Sequence, residues 1–504
     1  MFSVGLAVGL LIASVDADAA EALNFVSNPG FEEGMAPWVY EGSEYTVDAG
    51  AGRNGGAALR FDDFVLTEVP PRPVGDLSVS AYRGLVSEGK VRIAVALALF
   101  QEDFPDLGAL EWRFFRRDAE GRMFAIETEV FTRDQAEASF DASSLAEGKH
   151  TIVFTLAGET GAEVGRAETV IEKYATLPKL RVMFDQHGRT LVDGEKFFPL
   201  GMYWANPLTE EDLDLYAKGP FNSIMPYVRI NRETLDRCQA RGLKCCCNFV
   251  HDSLGESGER GRALIAELKG HPAFLAWYVN DEKTAAEIPF LTRRYDMLLE
   301  NDPDHPTWAV EDKPDEVRLF MKTFDVIGTD PYPLGRRPLS MAADWARRTR
   351  RSVFGMRPMW MVPQAFDPAA YSYLRRKGRA NLAPTAEQIS AMTWMTIAEG
   401  ANGIFLYSFH DLKKEVNVPF AESWRDVCTA AEEVRQAIPI LLMDPAPVPA
   451  PAPYGVSVRA WQDEATVYVL AVNATDEEKT FAPFPGDAVR TLAPWSHQIF
   501  RSGE

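Results

Sequence analysis

Between residues 180 and 440, short apolar runs of strand type alternate with segments that carry helix signals, and this alternation constrains the fold more than any other feature. Thr385 and Gln388 form a capping box ahead of one apolar-periodic run, and Gly400 follows that run as a stop signal. Eight strands, each followed by a helix, over about 260 residues predict an α/β fold, the (β/α)8 barrel. A doubly wound open sheet is the alternative, but no Gly-rich phosphate-binding loop supports it. We predict the strands at residues 197–203, 223–228, 244–249, 274–279, 307–310, 326–329, 359–362 and 404–407.

All-β stretches flank the barrel segment, which we place at residues 179–443. Residues 71–178 alternate polar and apolar positions between turn signals, which predicts a β-sandwich of immunoglobulin-like type. Residues 444–453 are rich in proline and predict a stiff spacer. Residues 454–504 contain two further strand-like runs and predict a small C-terminal β-sandwich.

The N-terminal region carries two signals of an exported protein. Residues 1–20 hold an apolar stretch followed by small residues, as in a secretory signal peptide, although the basic residues that usually precede such a stretch are missing. We therefore expect a secreted or periplasmic protein. Residues 21–70 contain Asn-Pro-Gly-Phe-Glu-Glu-Gly at 28–34, which resembles the first strand of the jelly-roll carbohydrate-binding modules of secreted glycosidases. This region is predicted to be an abbreviated module of that kind.

Composition excludes several classes of function. The net charge is -21, so the chain as a whole has no positive surplus for nucleic acid, and we expect no nucleic-acid partner. No segment after residue 20 is long and apolar enough to span a bilayer. Three of the five cysteines are consecutive, at 245–247, without the spacing of a metal site, and are predicted to be buried strand residues. We expect neither a metal ion nor another cofactor.

The predicted strand at 274–279 ends in an amide and two carboxylates, Asn280, Asp281 and Glu282. An apolar, aromatic run with acids only at its carboxyl end is typical of a buried parallel strand that carries reactive groups to the mouth of a barrel. The alternative is that Asp281 and Glu282 cap a helix beginning near Thr284, because acids favour helix N-termini. The position of the run within the eight-strand pattern favours the first interpretation.

The other predicted strands also end in carboxylates, amides and aromatic residues, and barrel active sites are built from these ends. Aromatic faces stack on sugar rings, amides bind hydroxyl groups, and two acids act on the glycosidic oxygen and the developing positive charge. The pattern therefore predicts an oligosaccharide or polysaccharide substrate, with Trp204 as a stacking platform. The candidate substrate-binding residues are Trp204, Asn248, Asn280, Glu311, Tyr332, Gln364, Tyr407 and His410. Further residues at the same strand ends are Asn206, Tyr227, Arg229, His251, Asp252, Asp312, Phe366 and Asp411.

Several stretches between residues 180 and 440 resemble the TIM-barrel glycoside hydrolases. His-Pro-Ala-Phe-Leu-Ala-Trp-Tyr at 271–278, followed by Asn280-Asp281-Glu282, is similar to the strand-four region of that superfamily. The segments at 193–203, 325–333 and 403–407 are similar to its first, sixth and eighth strands.

The resemblance implies a glycosidase in which Glu282 is the general acid/base that protonates the leaving oxygen. A Glu can do this near neutral pH only if burial or a neighbouring negative charge raises its pKa, and Asp281 is placed to be that neighbour. Adjacent residues of a regular strand point to opposite faces, so a bulge or turn at Asn280 is needed to bring both acids inward.

The sequence departs from the commonest retaining pattern at strand seven, where Gln364 stands at the end that carries the nucleophilic Glu in that clan. Three accounts remain open. The substrate supplies its own nucleophile, as in hexosaminidases in which an Asp such as Asp281 orients the acetamido group of the sugar. Alternatively the enzyme inverts, with Asp330 or Glu311 activating water across the cleft from Glu282. In the third account catalysis is lost and the barrel only binds glycans.

Overall fold

The structure is a computed structural model, and it describes residues 73–205, 207–249, 258–371 and 382–503 together with four short strands nearer the N-terminus. These strands belong to a compact unit of their own, residues 1–73, and pair antiparallel as β1 with β4 and β2 with β3. The strands are β1 (Trp38–Glu41), β2 (Tyr45–Asp48), β3 (Ala58–Phe61) and β4 (Val65–Glu68). The predicted signal peptide, the motif at 28–34, Asn206, His251 and Asp252 lie outside the described residues.

Two sheets form the predicted sandwich. Their orders are β10-β11-β7-β5 and β6-β13-β12-β8-β9, with antiparallel pairing except between β6 and β13. Alternate residues such as Ile93, Phe154 and Ile171 are fully buried in one hydrophobic core, as the polar and apolar alternation predicts. The strands are β5 (Val74–Val79), β6 (Leu85–Val86), β7 (Lys90–Leu97), β8 (Glu111–Arg117), β9 (Met123–Ile126), β10 (Thr128–Phe131), β11 (Gln135–Asp141), β12 (Gly148–Ala157) and β13 (Glu163–Lys173).

A small three-stranded antiparallel sheet leads from the sandwich to the barrel. It consists of β14 (Val182–Phe184), β15 (Thr190–Val192) and β16 (Glu195–Phe197). Phe184 packs edge-on against Trp360, with ring centroids 5.9 Å apart, and both rings belong to the core inside the barrel. This three-stranded sheet therefore closes the amino-terminal end of the barrel.

The next eight strands are parallel, in the order β22-β21-β20-β19-β18-β17-β24-β23. The end strands meet, because the Ile327 amide donates to the Pro358 carbonyl at 3.1 Å and the Val362 amide to the Thr329 carbonyl at 3.1 Å. The predicted (β/α)8 barrel is thereby confirmed. The strands are β17 (Leu200–Trp204), β18 (Ser223–Pro226), β19 (Lys244–Asn248), β20 (Phe274–Asp281), β21 (Thr307–Glu311), β22 (Val326–Thr329), β23 (Trp360–Met361) and β24 (Gly403–Leu406).

Helices follow the strands, with one exception. The connection after β21 contains only a 3-10 turn, Val317–Phe320. The capping box of Thr385 and Gln388 is confirmed at the start of α6. No described helix is long and apolar enough to cross a membrane. The helices are α1 (Glu210–Ala217), α2 (Arg232–Gln239), α3 (Glu259–Leu268), α4 (Ile288–Asn301), α5 (Met341–Ser352), α6 (Ala386–Ala398), α7 (Phe409–Leu412) and α8 (Phe420–Leu441).

Residues of each barrel strand point alternately inward and outward. In β21, Trp308 packs in the core inside the barrel, whereas Ala309 packs outward in the core shared with the helices. In β19 the same alternation places Cys246 inside and Cys245 and Cys247 outside. All three cysteines are buried, as predicted, and none of the described cysteines forms a disulfide.

The predicted stiff spacer begins with a strand of the C-terminal sheet. Residues 444–446 form β25, whose Asp444 pairs at 2.7 Å with Arg189, which lies between β14 and β15. Arg459 donates to the carbonyls of Ile397 and Ala401 at 3.0 and 2.8 Å, which attaches the sheet to the barrel. The sheet order is β25-β26-β27-β30, beside the pair β28-β29. The strands are β25 (Asp444–Ala446), β26 (Val456–Asp463), β27 (Thr466–Asn473), β28 (Lys479–Phe481), β29 (Arg490–Leu492) and β30 (His497–Arg501).

Candidate active site

A bulge at the end of β20 turns Asp281 toward the inside of the barrel. The pairing of β20 with β21 slips between Tyr278 and Asn280, so that Val279 has no partner across the ladder. Asp281 therefore lies on the inner side with Tyr278, and its carboxylate accepts hydrogen bonds from Tyr278 Oη at 2.7 Å and Tyr227 Oη at 3.3 Å. The predicted bulge is confirmed at the residue before Asn280.

Glu282 reaches the mouth through a left-handed turn. Its φ is 49°, a conformation that side chains other than glycine seldom adopt, and its amide donates to the Val310 carbonyl at 2.9 Å. The side chain is exposed at the rim. The alternative that the two acids cap the next helix is wrong, because Thr284 and Glu287 form the capping box there.

Asp330 meets Glu282 at the mouth. It follows β22 on the inner side of the barrel and is 7% exposed. The two carboxyl groups lie close enough for each to shift the pKa of the other. Burial raises the pKa of Asp330 well above its usual value, and the charge of Glu282 adds to the rise. Desolvation in the mouth also raises the pKa of Glu282, an effect that Asp330 partly offsets. The raised pKa of both groups favours retention of a proton by the pair.

Asn280 and Glu311 do not face the mouth. Both are buried, at 0% and 2% exposed, and the Asn280 amide donates to Glu311 Oε1 while the Lys283 amide donates to Glu311 Oε2 at 3.1 Å. Their predicted role in binding substrate is wrong: the bulge places Asn280 on the outer side of β20, and regular alternation places Glu311 on the outer side of β21, where the two side chains bond each other. Burial raises the pKa of Glu311 to about 9, so this carboxyl is neutral at pH 7.

We expect Glu311→Gln to flatten the pH dependence of stability. The native state keeps the Glu311 proton up to about pH 9, whereas the unfolded chain releases it near its usual value of 4.5. Between these values the native state binds more protons, so wild-type stability falls as pH rises, by up to about 1.4 kcal/mol per pH unit. Urea unfolding at a series of pH values measures this. The free energy of unfolding of Glu311→Gln relative to wild type should increase as pH rises. That of the control Glu316→Gln, at a partly exposed surface position, should not. Parallel curves for Glu311→Gln and wild type would contradict the assignment.

Tyrosines pack the barrel interior beneath the carboxyl pair. The rings of Tyr203, Tyr227, Tyr278 and Tyr407 pack with centroids 5.1–6.2 Å apart. Tyr332 joins this cluster against Tyr407 at 5.6 Å. The predicted mouth residues Tyr332 and Tyr407 are thus brought together near Asp330. Tyr203 and Tyr278 were not among the predicted site residues, although strand alternation marks both positions as inward-facing.

A second polar group extends the mouth beyond strand eight. Tyr371 Oη donates to Asp411 Oδ2 at 2.8 Å and lies 3.3 Å from Tyr407 Oη. His410 packs edge-on against Tyr407, and burial lowers its pKa. His410 is only 7% exposed, so it supports the ring of Tyr407 more than it offers a free imidazole. Asn248 similarly uses its amide on the Tyr227 carbonyl, at 3.2 Å.

Two predicted substrate-binding residues make contacts that keep their side chains from binding substrate. Trp204 is fully buried and stacks on Phe409 with centroids 4.0 Å apart, so the prediction of a sugar platform is wrong. It is the last residue of β17 and points outward into the core shared with the helices. Gln364 is also fully buried: its Oε1 accepts from the Leu334 amide at 3.0 Å and its Nε2 donates to the Phe366 carbonyl at 3.1 Å. It braces the loops after strands six and seven rather than lining the subsite.

Across the part of the chain that the structure describes, no group of three or more His, Cys, Asp and Glu side chains is arranged to hold a metal ion. Searches find no matching protein-family model and no matching curated protein.

Among solved structures, the chain is similar to the type III pullulan hydrolase from Thermococcus kodakarensis, with 11% identity over 84% of this chain and 99% of that one and a TM-score of 0.42. It is also similar to a cyclomaltodextrinase, with 10% identity, coverage of 82% and 93%, and a TM-score of 0.42. A β-D-glucuronidase from Dictyoglomus thermophilum gives 15% identity, coverage of 74% and 70%, and a TM-score of 0.37. Because these similarities are distant, the fold is assigned from the closed order of the eight barrel strands. The function has to be argued from the residues at the mouth of this barrel.

Proposed function

We propose that this protein is a glycoside hydrolase that cleaves a glycosidic bond in an oligosaccharide or polysaccharide. The observation that carries the proposal is the carboxyl pair of Glu282 and Asp330 at the carboxyl end of the barrel strands, where the pKa values of both groups are raised. Hydrolysis of a glycoside needs a proton donor of raised pKa beside groups that stabilise positive charge at the anomeric carbon. Glu282 is the accessible member of the pair and is assigned as the acid, while Asp330 is its buried neighbour.

The surroundings of the pair favour one of the three mechanisms. Gln364 is neutral and bound to backbone groups, so strand seven supplies no nucleophile. Glu311 is turned away from the mouth, which removes it as a base for an inverting route. Asp330 lies close enough to Glu282 for each to shift the pKa of the other, whereas an inverting pair stands about 6.5–9.5 Å apart to admit water. We infer that the nucleophile comes from the substrate, namely the carbonyl oxygen of a 2-acetamido group.

Asp281 is placed to serve that mechanism. Glu282 gives its proton to the glycosidic oxygen as the bond from that oxygen to the anomeric carbon breaks, and the acetamido oxygen bonds to the same carbon. The resulting oxazolinium ring carries a positive charge beside the Asp281 carboxylate, which two tyrosine hydroxyls hold in position. Water then attacks the anomeric carbon and gives a proton to Glu282, which opens the ring and restores the enzyme.

The proposal is tested by turnover of paired aryl glycosides that differ only at carbon 2. Hydrolysis of the N-acetylhexosaminide and not of the matching hexoside, with retained anomeric configuration by NMR, is the expected result. Hydrolysis of both with inverted configuration would replace the substrate-assisted route by direct attack of water. If no glycoside in a broad panel is cleaved while oligosaccharides still bind, the barrel is a glycan-binding protein and the proposal fails.

Tyr278→Phe should separate the positioning of Asp281 from substrate binding. It removes the 2.7 Å bond to Asp281 but keeps the ring that packs the barrel interior. We expect kcat on an N-acetylhexosaminide to fall by about tenfold, with KM changed less than twofold, since loss of one bond to a charged group costs about 1.5–3 kcal/mol. Steady-state kinetics measure the split. A change confined to KM would show that Tyr278 acts on substrate binding instead.

A further inference from the structure

A cavity lies at the opposite end of the barrel from Glu282. Its volume is about 540 Å³. Its barrel wall is built from residues that precede strands, among them Asp325 before β22, Met359 before β23 and Asn402 before β24. The sandwich contributes another wall through Tyr82 and its neighbours, and the C-terminal sheet contributes a third through residues 445–460. The cavity is therefore separate from the mouth that carries the carboxyl pair.

Six cationic side chains line this cavity, in a protein whose net charge is -21. Three of them have carboxylate partners: Arg83 pairs with Asp325 at 2.7 Å, Arg92 with Glu137 at 3.0 Å and Lys90 with Glu129 at 3.4 Å. The lining carboxylate Asp185 pairs with Arg189 at 2.6 Å. The remaining three cations are Arg350, Arg357 and Arg459.

These three arginines have no carboxylate partner among the described residues. Arg357 and Arg459 donate only to backbone carbonyls, for Arg357 those of Val79 at 3.0 Å and Met356 at 3.2 Å. The Cβ position of Gly355 is 3.9 Å from Arg350 Nε and 4.0 Å from Arg92 Nη1, so both guanidinium groups flank this glycine. Burial and the neighbouring charge of Arg350 lower the pKa of Arg459 to about 10. Like charges gathered in this way repel one another unless an anion lies between them.

A neutral donor adds to the same wall. Tyr82 Oη is buried and has no hydrogen-bond partner among the described residues, although its ring is fixed against Phe184 at 5.5 Å. A buried hydroxyl without a partner destabilises the fold, so a ligand oxygen that accepts a hydrogen bond from it would bind more tightly. Donors and unmatched positive charge thus converge on one cavity.

We propose that this cavity binds a tetrahedral oxyanion, a sulfate or phosphate group. Guanidinium groups present paired N–H donors that match the oxygens of such groups, and three unmatched arginines more than balance the one or two negative charges that such a group carries. The volume exceeds that of a single inorganic ion, which leaves room for the organic body of a sulfate or phosphate ester. The site does not depend on the proposed hydrolysis at Glu282, because it lies at the other end of the barrel.

Isothermal titration calorimetry on the full chain tests the site. Sodium sulfate, sodium phosphate and glucose 6-sulfate are titrated at low millimolar concentration into buffer of constant ionic strength set with sodium chloride, because high sulfate stabilises proteins without binding to a site. Saturable binding with a stoichiometry of one is expected. Tighter binding of glucose 6-sulfate than of sulfate identifies an ester as the occupant, and equal binding identifies the free ion. Absence of saturable binding for all three probes would overturn the proposal.

Three variants assign the binding to this cavity. Arg350→Gln should weaken binding by about tenfold or more, and its side chain makes no hydrogen bond with the described residues, so the fold should be kept. Tyr82→Phe should weaken binding by about two- to tenfold. Arg122→Gln is the control. It makes the same substitution at an arginine of the sandwich that is 68% exposed, and it should leave the affinity for all three probes unchanged. Unchanged affinity in both Arg350→Gln and Tyr82→Phe would show that the anion binds elsewhere.

Discussion

Replacing Glu282 with glutamine is expected to lower kcat for hydrolysis of a glycan by about 10²–10⁴-fold, the usual contribution of a general acid. Glutamine has nearly the same shape, so it keeps the left-handed turn at the mouth, but its amide cannot donate the proton that the Glu282 carboxyl group gives up in the proposed mechanism. Release of reducing sugar from the same panel of glycans measures the effect. Glu316→Gln, which removes a partly exposed carboxylate bound to Lys313 at 3.5 Å, should keep wild-type activity. Equal activity of Glu282→Gln and wild type would remove Glu282 from the mechanism.

The leaving group gives a sharper form of this experiment. An aryl glycoside with a strongly acidic phenol needs little protonation to depart, whereas a sugar hydroxyl needs it fully. We therefore expect Glu282→Gln to lose most activity on natural glycans and much less on the activated aryl glycoside, for which only the later activation of water is affected. Equal losses on both substrates would indicate that Glu282 binds the sugar rather than donating a proton.

Replacing Asp325 with alanine is expected to destabilise the sandwich–barrel unit by about 3–5 kcal/mol, the cost of leaving a buried charge without its partner. Asp325 holds Arg83 through bonds of 2.7 and 3.1 Å and accepts from Tyr295 Oη at 2.9 Å and from the Thr307 amide at 2.9 Å. The two charged side chains are 3% and 6% exposed. Because Arg83 belongs to the sandwich and Asp325 to the barrel, the loss should separate these two parts first. Guanidinium unfolding followed by tryptophan fluorescence measures it.

Two further variants, together with the dependence of stability on pH, test this interpretation of Asp325. Asp315→Asn removes a carboxylate that is 60% exposed and pairs with Arg348, and should cost at most about 1 kcal/mol. Arg83→Met combined with Asp325→Leu should recover much of the loss. Burial alone would raise the pKa of Asp325, but the charge of Arg83 and the hydrogen bonds hold it below 3.8, so its contribution is present above that pH and is lost as pH falls through the folded pKa. A cost below about 1 kcal/mol for Asp325→Ala would show that water reaches Arg83.

The barrel could be predicted from the sequence because its signals are local. Short apolar runs and caps such as Thr385 with Gln388 are read within one strand or helix, and all eight strands were found near their predicted positions. The prediction that Asp281 needs a bulge was local as well, since it follows from the alternation of a single strand. The 3-10 turn in place of a helix after β21 was not predicted, since that connection has only a single short turn of regular structure.

Predictions about which way a side chain faces were less secure. Trp204, Asn280 and Glu311 stand at strand ends that the barrel fold makes functional, yet all three lie outside the barrel wall and are buried there. One residue of register decides between the mouth and the outer core, and a strand end read from sequence is uncertain by more than that. Gln364 was predicted to bind substrate, and its hydrogen bonds with the backbone of the neighbouring loops could not be foreseen.

The sequence by itself determined the eight-strand barrel, its flanking sheets and the acid at the end of the fourth strand, because hydrophobic period and capping act over a few residues. Only the tertiary structure decided that Glu282 and Asp330 are neighbours whose pKa values are both raised and that Glu311 is turned away, because these carboxyls come from three different strands. The pKa values of these carboxyl groups depend on the distances between them and on their burial, and closure of the barrel sets both.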